Sequence, residues 1–120
     1  MIQEKLTILK ENDVIDGTTY EDMQVALNLL KQEAVIVEED EADTFITHLA
    51  MATSRQRKNE EQVDSVDPMI KQEIEAALEY KKAVAIWKQL SEKINVDFPK
   101  NEDDYFYLHL VTLLQNKKEK

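Results

Sequence analysis

The sequence predicts an all-α protein: a compact bundle of about five main helices with a short extra helix at the N-terminus. Three observations carry that expectation. The 120 residues include one glycine and two prolines, so the breakers that punctuate β-rich folds are scarce. The chain is rich in Ala, Leu, Glu, Lys and Gln, the strong helix formers. Apolar residues recur three and four positions apart along most of its length. A 42% apolar and 33% charged composition suits one soluble, globular domain with a single core.

The elements follow in order. Ile2, Leu6 and Leu9 share one face of a short first helix, which Asn12-Asp13 and Asp16-Gly17 terminate. Gly17, the only glycine, is the expected site of a positive φ. Thr18-Thr19-Tyr20-Glu21 reads as a capping box opening a second helix, with Met23, Leu27 and Leu30 on its inner stripe and Ala26 and Ala34 beside them. Val35-Ile36-Val37 is the one β-branched run, too short for a sheet, and is expected to tuck under the bundle at a helix end. The acidic stretch Glu38 to Asp43 opens a third helix to about Arg57, its carboxylates favoured by the positive end of the helix dipole. As a calcium loop it lacks the glycine and the ligand spacing.

After a polar connection, Lys58 to Val66, Asp67 is an expected N-cap with Pro68 at the first helical position. The short helix that follows carries Ile70, Ile74, Ala77 and Leu78. Tyr80 to Ile94 forms the next, with Val84, Trp87, Leu90 and Ile94 facing inward. Phe98-Pro99 ends the connection, and Asn101 caps a last helix from Glu102 to about Lys117. That helix is apolar almost all round, so it belongs in the middle of the bundle or at a dimer interface. The expected division is 1–17 as a short helix and turn, 18–117 as the bundle, and 118–120 as a basic tail.

A net charge of -10 repels a phosphate backbone, so direct nucleic-acid binding is not expected. The small basic clusters at Arg55-Gln56-Arg57-Lys58 and Lys117-Lys118-Glu119-Lys120 sit where helices end and complement the dipole. There is no cysteine, hence no disulfide, thiol nucleophile or zinc–thiolate site. No stretch is long and apolar enough for membrane insertion, and a cytoplasmic, unanchored protein is expected. Ser54, Ser65 and Ser91 lie in no nucleophile elbow, and neither a phosphate-binding glycine loop nor an HExxH metal helix is present. No cofactor and no enzymatic activity are expected; the chain is read as acting through protein contacts.

Two histidines stand out because their contexts are alike. His48 lies in Phe45-Ile46-Thr47-His48-Leu49 and His109 in Phe106-Tyr107-Leu108-His109-Leu110, each with a glutamate seven residues earlier, Glu41 and Glu102. At about 100° per residue, Ala42, Phe45, Ile46, Leu49 and Ala52 make an apolar stripe, and His48 falls at its polar edge with Glu41, Thr44 and Arg55. His109 takes the matching edge of its own helix, beside Tyr105, Thr112 and Asn116. A half-exposed imidazole keeps one nitrogen free to react while the other is fixed by a hydrogen bond. Most histidines in helical bundles are structural, and a metal site built from the pair with nearby carboxylates lacks a defined ligand geometry.

The segment Phe45-Ile46-Thr47-His48-Leu49-Ala50-Met51-Ala52-Thr53-Ser54-Arg55 resembles the first histidine helix of the PTS regulation domains, or PRDs, found in bacterial antiterminators and activators. There His is followed by Ala four residues on and Arg seven on, matched by His48, Ala52 and Arg55. Glu102 to His109 resembles the second histidine motif, with Asp103 and Asp104 standing where the family has an apolar and a small residue. The resemblance covers roughly Thr18 to Gln115; about 17 residues precede it, and one copy is present, as in a stand-alone PRD. It implies a dimerising five-helix bundle whose histidines accept phosphate from the phosphocarrier HPr or a sugar-permease IIB component. His48 and His109 would then be the phosphoacceptors, with Arg55 as partner for a phosphate or carboxylate, and a regulatory protein would read the signal. The alternatives are a structural interaction module with unmodified histidines, and a small metal-dependent enzyme.

Overall fold

Six helices, and no strand among the described residues, make up the chain; the computed structural model describes residues 1–60 and 66–118. They are α1 (Ile2–Glu11), α2 (Gly17–Gln32), α3 (Asp43–Arg57), α4 (Pro68–Ala76), α5 (Tyr80–Ile94) and α6 (Lys100–Lys118), with a 3-10 turn at Glu39–Ala42 running into α3. The all-α bundle expected from composition and periodicity is the observed fold. The connection expected over Lys58 to Val66 and the basic tail expected at 118–120 lie partly outside the described residues.

α6 occupies the centre, packed against α3, α4 and α5, while α2 bridges α3 and α5 from the far side. Its position follows from its composition: Phe106, Leu110, Val111 and Leu114 are buried, and Tyr105, Tyr107, Leu108 and Leu113 are half-buried against the same core. Phe106 is the hub, stacked on Trp87 at 4.2 Å between centroids and meeting Phe45 and Phe98 edge-on at 5.9 and 5.5 Å. α1 belongs to this core too. Ile2 and Leu6 are buried, the Ile2 amide donates to Asp40 Oδ1, and Lys5 pairs with Asp43 at 2.6 Å.

Local chemistry sets the helix ends, and several differ from the sequence expectation. Asp16, not Thr18, caps α2, accepting from the Thr19 amide at 2.7 Å. The helix therefore starts at Gly17, whose φ is not positive. An aspartate outcompetes a threonine two residues on because its carboxylate also answers the dipole. The left-handed positions fall at Asp13, Ala34, Asn59 and Asn95. The Glu38–Glu41 pair forms a reciprocal capping box on the 3-10 turn, so the acidic stretch does open the way into α3. Asp67 accepts from the Met69 amide and Pro68 takes the first turn of α4, as expected. α6 begins at Lys100, with the Glu102 amide bonded to Pro99 O, which puts Asn101 inside the first turn instead of at the cap.

Some side chains expected inside are not. Ile70 is 42% exposed because α4 is a short surface helix that buries Ile74 alone, and Leu78, 90% exposed, lies beyond that helix in the turn before α5. On α5, Ala83 and Ile86 join Trp87, Leu90 and Ile94 in the core, leaving Val84 half-buried. Val35 and Ile36 are buried below α2, but Val37 is exposed.

Ala34 is exposed and holds φ at 58° just after α2. A left-handed backbone costs an L-residue roughly 1–2 kcal/mol that glycine avoids. Ala34→Gly is therefore expected to raise stability by about 0.5–1 kcal/mol, less than the full strain because glycine also gains freedom in the unfolded chain. The shift in urea midpoint measures it; a decrease would show that no strain resides there.

Candidate functional site

The site forms where α3 crosses α6. His48 comes from the middle of α3 and Arg55 from its last turn, two turns further on the same edge; Glu102 and His109 stand two turns apart on α6. The crossing brings the matching edges face to face. His48 Nδ1 lies 3.0 Å from His109 Nε2, and the two rings are perpendicular, 5.1 Å between centroids. His48 Nε2 lies 3.3 Å from Glu102 Oε1, while the Arg55 guanidinium donates to Glu102 Oε2 at 2.9 Å. Phe106 and Tyr105 flank His48 at 5.0 and 5.6 Å, and Phe45 packs beside His109 at 6.0 Å.

Of the three residues singled out from the sequence, His48 and Arg55 meet at the Glu102 carboxylate, and His109 joins them through His48. The His48 side chain is 22% exposed, as its edge position predicts, and His109 is half-buried. Arg55 does what its dipole-facing position suggests and more, since it reaches across to α6. Arg57, in the neighbouring basic cluster, bonds Thr19 and Asp22 of α2 and the Ile94 carbonyl of α5, a structural tie. Ser54 is likewise occupied, donating to Val14 O.

Glu102 is the residue that sequence reasoning missed. The sequence presents it as the start of the last helix and as a motif position, yet its side chain is wholly buried. The available signal was its spacing: seven residues, or two turns, before His109, which places both on one helix edge. Burial pushes its pKa up, but hydrogen bonds from His48 and Arg55 and the Arg55 charge outweigh burial, holding the carboxyl below its ordinary value. Glu102 is therefore ionised at neutral pH, and as a carboxylate it only accepts. Arg55 Nε is buried without a partner beside it.

Burial and the neighbouring His48 depress His109 to about 4, so its ring is neutral at physiological pH. Its exposed flank opens on a groove of about 360 Å³ whose walls include Glu41, Thr44, Phe45, Thr112 and Asn116. The site can hold a neutral nucleophilic imidazole at the end of a hydrogen-bonded chain, next to a fixed negative charge. Among the described residues no group of three or more His, Asp and Glu side chains is placed to hold a metal ion.

Asp103 and Asp104, which replace the family's apolar and small residues, are engaged elsewhere. Asp103 accepts from the Trp87 indole at 2.8 Å, and Asp104 lies 3.7 Å from Lys71. Burial raises the Asp103 pKa, partly offset by the Trp87 bond.

The depressed His109 value has a signed consequence. In the unfolded chain the ring titrates near 6.5, so between that value and about 4 the unfolded state binds the extra proton. The contribution of the neutral ring is complete above about pH 6.5 and is lost as pH falls toward 4. With about 1.4 kcal/mol per pH unit, discounted for the ring's partial exposure, wild type should lose about 1–2 kcal/mol more than His109→Gln across this window. Urea unfolding at pH 7, 5.5 and 4.5 measures it; parallel profiles for the two proteins would refute it. Glu102 contributes only further down, since its folded value lies below 4.5.

No helix among the described residues is long and apolar enough to cross a membrane. No curated protein and no solved structure matches the chain significantly. A protein-family model described as PRD domain matches residues 23–113, a span that runs from the inner face of α2 through both histidines. With that match over most of its length, and both histidine helices crossing where the motifs place them, the chain belongs to the PRD family of phosphotransferase-system regulatory domains.

Proposed function

We propose that this domain is a regulatory phosphoacceptor of the phosphotransferase system, taking phosphate on His48 or His109 from HPr or a IIB component. It controls transcription or metabolism through contacts with a protein partner, and it works by binding, not by catalysis. The observation that carries the reading is the ring-to-ring contact of the two motif histidines across α3 and α6, at 3.0 Å, above an ionised and buried Glu102.

The physical consequence is large for so small a change. A phosphoryl group brings about 1.5–2 negative charges and three acceptor oxygens. Placed on this histidine pair it changes the charge balance around the buried Glu102–Arg55 pair and biases the contact that holds α3 against α6. A bias of about 1–3 kcal/mol between two packings is the usual size of a regulatory coupling. The natural element to respond is a homodimer, with α4 supplying exposed Met69 and Ile70 as apolar surface. Asp103 and Asp104 leave this arrangement intact, since neither is bonded to a histidine.

The experiment is intact-mass analysis after incubation with phosphoenolpyruvate, enzyme I and HPr, with and without a IIB component, quenched in alkali because phosphohistidine is acid-labile. One phosphate adduct, lost in His48→Ala or in His109→Ala, is expected. No adduct under either condition would overturn the proposal in favour of a structural interaction module, and sedimentation of the two forms would show whether phosphate moves the dimer equilibrium.

A further inference from the structure

Building on the phosphoacceptor reading, we infer that phosphate enters at Nδ1 of His109, and that Glu102 and His48 act as positioning residues that leave that nitrogen with its lone pair. The hydrogen-bond chain has only one consistent polarity when His48 is neutral. Glu102 is a carboxylate paired with Arg55 at 2.9 Å and can only accept, so His48 Nε2 carries the proton. His48 Nδ1 is then a bare acceptor, and the nitrogen 3.0 Å away, His109 Nε2, must be the donor. Neutral His109 therefore has no proton on Nδ1.

That atom is also the accessible one. Both His48 nitrogens are occupied, by His109 and by Glu102. His109 Nδ1 has no hydrogen bond among the described residues, and it is not sealed off, because the buried unpartnered side-chain polar atom among them is Arg55 Nε. His109 lines the groove of about 360 Å³, whose walls also include Glu41, Thr44, Thr112 and Asn116; the Thr112 hydroxyl donates to the Leu108 carbonyl, which leaves the Thr44 hydroxyl and the Asn116 amide as the donors for phosphoryl oxygens.

The step balances within this chain. The Nδ1 lone pair forms the new N–P bond while the donor's P–N bond breaks, its electron pair returning to the donor nitrogen. His109 becomes cationic, and its Nε2 proton moves to His48 Nδ1. The resulting His48 imidazolium is held by Glu102, whose charge offsets it. If His48 is already protonated, the chain reverses: His48 Nδ1–H donates to His109 Nε2, and Nδ1 of His109 carries the proton and is no longer a nucleophile.

Nitrogen-15 NMR of the full chain at pH 8, above the ordinary histidine range near 6.5, reads the tautomers directly. Both histidines are expected as the Nε2–H form. Phosphoramidate, which loses ammonia on transfer, then serves as a donor that needs no partner protein, and the ³¹P–¹⁵N-resolved product is expected as the Nδ1 isomer on His109. His48→Leu removes the acceptor: His109 should become a tautomer mixture and react roughly tenfold to a hundredfold more slowly. His48→Asn, which keeps an acceptor oxygen near the Nδ1 position, should restore the tautomer. If His48→Leu does not fold, wild type and His48→Asn decide alone. Phosphate on His48, or on Nε2 of His109, overturns the inference and leaves the phosphoacceptor reading standing. No phosphohistidine from phosphoramidate or from HPr, with the tautomers as stated, overturns both.

Discussion

Phe106→Ala is expected to destabilise the domain by about 3–5 kcal/mol, the range for truncating a fully buried aromatic ring. Phe106 is 0% exposed and touches four rings: Trp87, Phe45, Phe98 and His48. Those rings come from α3, α5 and the connection before α6, so the cavity left by the missing phenyl would lie at the junction of the bundle. The neighbours cannot collapse into it easily, because Trp87 is tethered through its indole to Asp103 and His48 through both nitrogens. Against a total stability of about 5–15 kcal/mol for a domain of this kind, the loss is a large fraction. Urea unfolding followed by circular dichroism measures it, and a cost under about 1 kcal/mol would show that the junction repacks freely.

Glu102→Ala is the second large effect, expected to cost about 2–4 kcal/mol. The carboxylate is completely buried, and its removal strands two donors at once: the Arg55 guanidinium and His48 Nε2. Removing one partner of a buried ion pair is costlier than the pair's net value, because the remaining charge keeps its desolvation penalty. Arg55 is 24% exposed and gains some water in the variant, which holds the expected cost at the lower part of the usual range. The double variant Glu102→Leu with Arg55→Met removes both charges and should recover most of the loss. A double variant as unstable as Glu102→Ala would show that shape, not charge, dominates at this crossing. Calorimetric unfolding of the three proteins gives the comparison.

How much of this was legible in the sequence depends on which physical interaction decided each feature. Helix identity came from local propensity and periodicity, and the edge positions of His48 and His109 came from the same 100° arithmetic that the crossing of α3 and α6 then confirmed. The family resemblance implies a phosphate or carboxylate partner for Arg55; in the fold its guanidinium donates to Glu102. That the two histidines, 61 residues apart, touch is by contrast set by how α3 and α6 pack, which no local pattern encodes. Glu102 was hidden for a specific reason: an acid in a first helical turn is usually solvated and answers the dipole, and only the arrival of Arg55 and His48 from α3 makes burial tolerable. The cap of α2 is Asp16, two residues earlier than expected, and α6 starts at Lys100, which places Asn101 within its first turn. Ile70 is exposed because apolar character on a short surface helix fixes neither its rotation nor its depth, and Leu78 because the helix ends before it, in a turn.

The aromatic hub has one more consequence. The chain contains a single tryptophan, and Trp87 is separated from His48 by one ring, Phe106. Its indole N–H is bonded to Asp103, the residue after Glu102 on the same helix. An event that shifts the histidine pair or the start of α6 is expected to alter the stacking or the polarity felt by that indole. The molecule therefore carries a built-in candidate optical probe: steady-state emission from one tryptophan, without a label, is expected to change with the state of the histidine pair.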